Sequence, residues 1–182
     1  NNAIISNFNF GIYLDSSNNN CIINNTASNN AYGILIRGSS NIIIAINVVS
    51  NNYYGGIYLN GNCIGCTIAN NTVYSNVREG ILLGSCNCNV IVYNTVFNNA
   101  EGISLDWDCS DNLITNNSIT SNSEYGLYLG YCSNNTLVNN VMINNGIYLL
   151  GAQLSHWNTY DLDTSNTVNG RPVQYLRNQI GG

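Results

Sequence analysis

A short apolar phrase returns seven times along the chain: Gly11-Ile12-Tyr13-Leu14, Gly33-Ile34-Leu35-Ile36, Gly56-Ile57-Tyr58-Leu59, Gly80-Ile81-Leu82-Leu83, Gly102-Ile103-Ser104-Leu105, Gly126-Leu127-Tyr128-Leu129 and Gly146-Ile147-Tyr148-Leu149. Its glycines stand 22, 23, 24, 22, 24 and 20 residues apart. A unit that small cannot bury an apolar face alone, so each must stack on its neighbours. No 3.6-residue periodicity runs through the units, which excludes a helical repeat; three short strands per unit fit instead. The chain should therefore be an all-β, right-handed parallel β-helix (a solenoid) of about six to seven rungs over residues 1–150, with a non-repeating tail over 151–182.

Aligning the units exposes inward columns, because strand side chains alternate between faces. Ile22, Ile43, Ile68, Ile91, Ile114 and Leu137 form one. Ala27, Val48, Val73, Val96, Ile119 and Met142 form another. Two asparagine columns lie between the strands. One is Asn25, Asn71, Asn94, Asn117 and Asn140, broken by Ile46; the other is Asn20, Asn41, Asn89, Asn112 and Asn135, broken by Cys66. Asparagine tolerates left-handed backbone, and stacked amides bond to one another. These columns are structural.

Only 7% of residues are charged and lysine is absent, while 45% are hydrophobic and in register, so a packed core forms despite the abundance of asparagine. A net charge of −5 with four scattered arginines offers no basic footprint for nucleic acid. No apolar run approaches the roughly 18 residues of a membrane span. The chain opens mid-unit, at Asn1-Asn2-Ala3-Ile4-Ile5-Ser6-Asn7, without a methionine. That marks a processed product or a piece of a longer protein, and the missing targeting signal says nothing about location.

Cys63, Cys86, Cys109 and Cys132 recur at intervals of 23 residues, with Cys66 and Cys88 close by and Cys21 alone. Three readings stand: a column of buried thiols, disulfides between adjacent rungs, or a metal held by Cys63-x-x-Cys66 with Cys86-x-Cys88. Cys21, outward by alternation, is the candidate for a bond between chains. Acids concentrate in one region. Glu79 and Glu101 both precede a strand glycine in adjacent units, and Asp106, Asp108 and Asp111 follow on the next turn. Glu79, Glu101, Asp106 and Asp108 are the candidate calcium or sugar site; the alternative is a few solubilising charges offset by Arg78. No cofactor is expected beyond that calcium.

The third position of the repeated phrase points outward yet reads Tyr13, Leu35, Tyr58, Leu82, Ser104, Tyr128, Tyr148. Large exposed apolar patches mark interaction surfaces, and tyrosine is favoured there because it is amphipathic. Asn-x-Ser/Thr sequons at Asn24, Asn70, Asn116 and Asn134 are candidate glycan acceptors.

The repeats over 1–150 resemble those of the NosD-type and pectate-lyase-like β-helix superfamily. The stretch Asn158-Thr159-Tyr160-Asp161-Leu162-Asp163-Thr164-Ser165-Asn166 and onward to Val173 looks like the segment that follows such repeats in methanogen surface proteins, which implies an archaeal source. The superfamily includes lyases, hydrolases, epimerases, binding modules and spacers. NosD-type proteins are associated with copper delivery, and copper needs His, Met or Cys ligands. Here there is one histidine, His156 in the tail, and one methionine, Met142 in a core column, so the copper role does not carry over.

The function expected first is a non-catalytic structural solenoid of the cell surface or an extracellular envelope, sheath or fibre. It would associate with itself or other surface proteins through the outward stripe and open helix ends. The alternative is a carbohydrate-binding or carbohydrate-processing β-helix, a polysaccharide hydrolase or lyase if an enzyme, with the acids on one turn as its site.

Overall fold

The computed structural model describes residues 1–176. Each unit contributes one six-residue strand and two three-residue strands, and these assemble into three parallel sheets running the length of a β-helix of about seven turns. The long sheet stacks Phe10–Asp15, Tyr32–Arg37, Gly55–Asn60, Glu79–Gly84, Glu101–Asp106, Tyr125–Gly130 and the shorter Ile147–Leu150. A second sheet runs from Cys21–Ile23 to Asp161–Leu162 and a third from Ala3–Ile5 to Arg171–Pro172. Every pairing is parallel except the terminal hairpin of Thr167–Val168 with Arg171–Pro172.

The core is the set of inward columns. On the long sheet Ile34, Ile57, Ile81, Ile103 and Leu127 stack beside Ile36, Leu59, Leu83, Leu105 and Leu129, all buried. In every phrase but the last, the opening glycine is required by close approach, not by backbone angle. A Cβ on Gly80 would stand 2.5 Å from Val96 Cγ1 and 2.7 Å from the Gly102 carbonyl oxygen.

One rung slips against the sequence expectation. The second-sheet core column runs Ile22, Ile44, Ile68, Ile91, Ile114 and Leu137, so Ile44 takes the place expected for Ile43. The third-sheet column runs Ala27, Val49, Val73, Val96, Ile119 and Met142, with Val49 replacing Val48. Ile43 and Val48 are 42% and 37% exposed. The asparagine columns shift with them: Asn47 fills the expected gap at Ile46, and Ile42 stands where Asn41 was expected. The cause is local. Ile42-Ile43-Ile44 and Val48-Val49 are unbroken apolar runs, so alternation does not mark their inward members, and a one-residue shift exchanges the faces.

Corrected, the first ladder is continuous. The backbone N–H of Asn25, Asn47, Asn71, Asn94, Asn117 and Asn140 each donates to the side-chain oxygen of the next, ending on Asn166, at 2.9–3.1 Å. The residue before each ladder member turns the corner in left-handed backbone: Asn24, Ile46, Asn70, Tyr93, Asn116 and Asn139 have φ of 55–59°. A further ladder, invisible in the sequence, joins Asn7, Asn30, Asn52, Asn76, Asn99, Asn122 and Asn145 at the corner leading into the long sheet.

Beyond residue 150 a short helix, Ser155–Asn158, packs beside the last strand of the long sheet, Ile147–Leu150, and two of the sheets gain further strands. Tyr160 is buried there, and its hydroxyl donates to the Cys132 carbonyl at 2.8 Å. His156 is buried too, its Nδ1 accepting the Ala152 N–H at 3.1 Å. Residues 177–182 of the expected tail lie outside the described residues.

Candidate carbohydrate-binding face

The outer face of the long sheet gathers most of the candidate residues, because register converts sequence columns into rows along the solenoid. One row reads Phe10, Tyr32, Gly55, Glu79, Glu101, Tyr125; the next is the expected stripe; the third reads Asp15, Arg37, Asn60, Gly84, Asp106, Gly130. Aromatic rings occupy both ends and carboxylates the middle.

At one end Phe10 stacks on Tyr13 with ring centres 4.7 Å apart, and Tyr32 on Tyr54 and Tyr58 at 5.2 and 5.9 Å. Phe10, Tyr13, Tyr32, Leu35, Tyr58 and the polar Arg37 and Asn60 enclose a cleft of about 380 Å³. At the other end Tyr125 stacks on Tyr148 at 4.6 Å, and Tyr128 on Tyr148 at 5.7 Å. Burial, with Tyr32 adding, pushes the Tyr58 hydroxyl up to about 12; burial, with Asp106 adding, does the same to Tyr128.

Between these ends Glu79 and Glu101 are direct register partners, so their α-carbons lie about one strand spacing, ~4.8 Å, apart. Ser104, buried, donates its hydroxyl to Glu101 Oε2 at 2.5 Å. Glu79, Glu101, Ser104, Asp106, Trp107 and Tyr128 share one cleft with Arg78 and Leu82. Burial raises all three carboxylates above their ordinary range. Repulsion from Glu124 and Asp106 adds to this for Glu79, and from Glu79, Glu124 and Asp106 for Glu101, while Arg78 opposes it at Glu79 and the Ser104 hydroxyl at Glu101. The Arg78 guanidinium itself sits 5.8 Å from the centre of the Tyr54 ring.

The expected stripe is thus outward but not continuous. Leu35, Tyr58, Leu82 and Tyr128 are half-buried by their neighbours, Tyr13 and Tyr148 are exposed, and Ser104 breaks the line by turning to Glu101. Asp108 does not join the acids. It lies past the corner, exposed with φ of 61°, and is absent from the carboxylate cleft. The chain turns left-handed at Trp107 and Asp108 together, which carries the second side chain away. Among the described residues no three His, Cys, Asp or Glu side chains are placed to hold a metal ion. Sequence reasoning also missed the aromatic row. Phe10, Tyr32 and Tyr125 share the column of Glu79 and Glu101, immediately before the strand glycine, and Trp107 lies over the open position left by Gly84.

Cys63, Cys66, Cys86, Cys109 and Cys132 are buried, Cys21 and Cys88 are exposed, and all seven thiols are free. Within the column the Cys86 backbone N–H donates to Cys109 Sγ at 3.3 Å; the neighbouring Cys63 thiol, with burial adding, raises Cys86, and the Cys109 thiol, with burial adding, raises Cys132. Three sequon asparagines, Asn24, Asn70 and Asn134, are exposed at corners, and Asn116 is half-buried with its amide on the Thr115 hydroxyl at 2.8 Å. No described helix is long and apolar enough to cross a membrane.

The profile of the family described as periplasmic copper-binding protein (NosD) matches residues 1–176. The chain belongs to the NosD family. The copper-ligand types present do not fit a copper centre in this chain: Met142 is core, His156 Nδ1 is occupied by backbone amides, and the buried thiols face backbone carbonyls. Among solved structures the fold is similar to the periplasmic alginate epimerase AlgG, at 25% identity and TM-score 0.71 over 76% of this chain and 35% of that one. It is also similar to the Azotobacter vinelandii mannuronan C-5 epimerase AlgE4 A-module, at 18% identity and TM-score 0.73 over 98% and 56% of the two chains. The Dettilon tailspike protein matches at 21% identity and TM-score 0.69 over 89% and 41%. The chain thus spans about a third to a half of the lengths of these proteins. No curated protein sequence matches it.

Proposed function

We propose that the outer face of the long sheet binds a glycan chain outside the cytoplasm. One observation carries this reading: aromatic rings stand on both sides of a carboxylate and hydroxyl patch, on one rigid sheet. Sugar rings present apolar faces that pack on tyrosine and hydroxyls that bond to carboxylates, and a binding site needs those two surfaces side by side. The periplasmic description of the family and the alginate epimerases among the similar folds support the same direction. With Glu79, Glu101 and Asp106 grouped beside a single arginine, a neutral or amine-bearing glycan suits the centre better than a polyuronate. Affinity electrophoresis through gels containing neutral, amino and uronate polysaccharides tests it. Retardation by a neutral or amino polysaccharide is expected, weakened about tenfold by Tyr58→Ala or Tyr128→Ala. Unretarded migration in every gel would overturn the reading.

A structural role by lateral association is the second reading. It is favoured by apolar side chains exposed on the other two sheets, Ile23 and Ile43 on one and Val48, Val141 and Ile143 on the other. Sedimentation across a hundredfold range of concentration separates the two: a constant monomer mass removes lateral association.

A further inference from the structure

The four-cysteine column is not uniform along its length. Its members alternate in how they are held. The Cys63 and Cys109 thiols each donate to a carbonyl three residues back, Asn60 at 3.3 Å and Asp106 at 3.2 Å, and each also reaches a carbonyl of the preceding rung, Ile36 or Leu83. Cys86 and Cys132 instead donate two residues back, to Gly84 at 3.1 Å and Gly130 at 3.0 Å. The backbone alternates in step. Isolated parallel bridges join Ile64 to Asn87 and Ser110 to Ser133, immediately beside Cys63 with Cys86 and Cys109 with Cys132. One contact crosses between the two pairs: the Cys86 backbone N–H donates to Cys109 Sγ at 3.3 Å.

We propose that this column closes as two inter-rung disulfides, Cys63–Cys86 and Cys109–Cys132, and not as Cys86–Cys109. Neighbouring strands place α-carbons about 4.8 Å apart, inside the window a disulfide accepts. An extracytoplasmic setting, as the family description indicates, supplies the oxidant: a protein or small-molecule disulfide. One cysteine thiolate of a pair attacks the carrier disulfide and releases one carrier thiolate. Its partner then attacks the mixed disulfide at the protein sulfur and releases the second. Two electrons and two protons pass to the carrier for each bond formed. All four thiols are fully buried in the folded chain, so oxidation takes place while the rungs are still stacking. Each bond then ties one complete turn to the next. Cys66, which donates to the Ser39 carbonyl at 3.5 Å, and the exposed Cys21 and Cys88 stay outside this scheme.

The test is refolding of the full chain with oxidised glutathione, alkylation of remaining thiols, and digestion without reductant by trypsin and a protease specific for Asp and Glu. Cleavage after Arg78 separates Cys63 from Cys86, cleavage after Asp106 separates Cys86 from Cys109, and cleavage after Asp111 or Glu124 separates Cys109 from Cys132. Linked peptides joining Cys63 to Cys86 and Cys109 to Cys132 are expected. A Cys86–Cys109 link, or alkylation of all four cysteines of the column, overturns the proposal. Reductant should lower the urea midpoint of the oxidised protein and leave that of Cys63→Ser/Cys109→Ser unchanged; equal sensitivity in both also overturns it.

Discussion

Replacing Asn94 by alanine should be among the most damaging single changes available in this solenoid. Asn94 is buried in the middle of its ladder. Its side-chain oxygen accepts the Asn71 backbone N–H at 2.9 Å and the Asn71 amide at 3.0 Å. Its amide donates to the Ile68 carbonyl at 2.9 Å, the Val92 carbonyl at 3.2 Å and Asn117 Oδ1 at 3.0 Å. Four of these partners have others to fall back on. The Asn71 amide keeps the Ile44 carbonyl, Val92 keeps the Asn70 N–H, and Asn117 Oδ1 keeps the Asn94 backbone N–H. The Ile68 carbonyl lies mid-strand and keeps its place in the parallel ladder with Val90–Val92, so the Asn71 backbone N–H alone loses the partner Asn94 supplied, in a buried position. A buried polar group stripped of its partner costs about 1–3 kcal/mol, and the substitution should cost that much, a substantial share of the ~5–15 kcal/mol that holds a typical domain. The control is Asn20→Ala, an exposed residue bonded only to the Ser17 and Asn18 carbonyls, which should change stability by less than about 0.5 kcal/mol. Urea unfolding followed by circular dichroism measures both, with hydrogen exchange at the Asn71 amide reporting the local loss. A cost for Asn94→Ala below about 1 kcal/mol, or equal to that of the control, would refute the view that the ladders hold the corners by hydrogen bonding.

Gly80→Ala forces a methyl to within 2.5 Å of Val96 and should cost about 1–3 kcal/mol in the same assay, whereas Gly146→Ala, with nothing within 4 Å, should be near neutral. Ile46 holds φ of 59° with a branched, exposed side chain, so Ile46→Gly should raise stability by about 1 kcal/mol, read as a higher urea midpoint. The raised carboxylates fix the sign of a pH effect. Glu79 and Glu101 bind protons more tightly folded than unfolded, so the stability they confer is full below the ordinary glutamate value of 4.5 and fades as pH rises through their higher folded values. Melting temperature should fall over that window in the wild type and flatten in Glu79→Gln/Glu101→Gln. In the reduced, folded protein a thiol reagent should label Cys21 and Cys88 quickly and the five buried cysteines only on unfolding.

The repeated Gly-Ile-x-Leu phrase by itself determined the architecture. An apolar pair every 23 residues or so, opened by a glycine, has no stable outlet except stacking. The asparagine column through Asn71, Asn94 and Asn117 was legible for the same reason, since its spacing from the phrase barely varies. Three things were left to the tertiary structure. The inward members of Ile42-Ile43-Ile44 and Val48-Val49 were decided by the fit of neighbouring rungs, because an unbroken apolar run carries no alternation. The ladder from Asn7 to Asn145 stayed hidden because its distance to the following glycine varies from one to four residues, and only the corner geometry brings its members into line. The candidate site belongs to the structure most of all. Glu79 and Glu101 could be paired from sequence, yet the removal of Asp108 around a left-handed corner, and the gathering of Tyr32, Tyr58, Tyr125 and Tyr128 beside the acids, depend on residues from five different rungs meeting on one face. A linear sequence records spacing along the chain, and a binding face is made of distances across it.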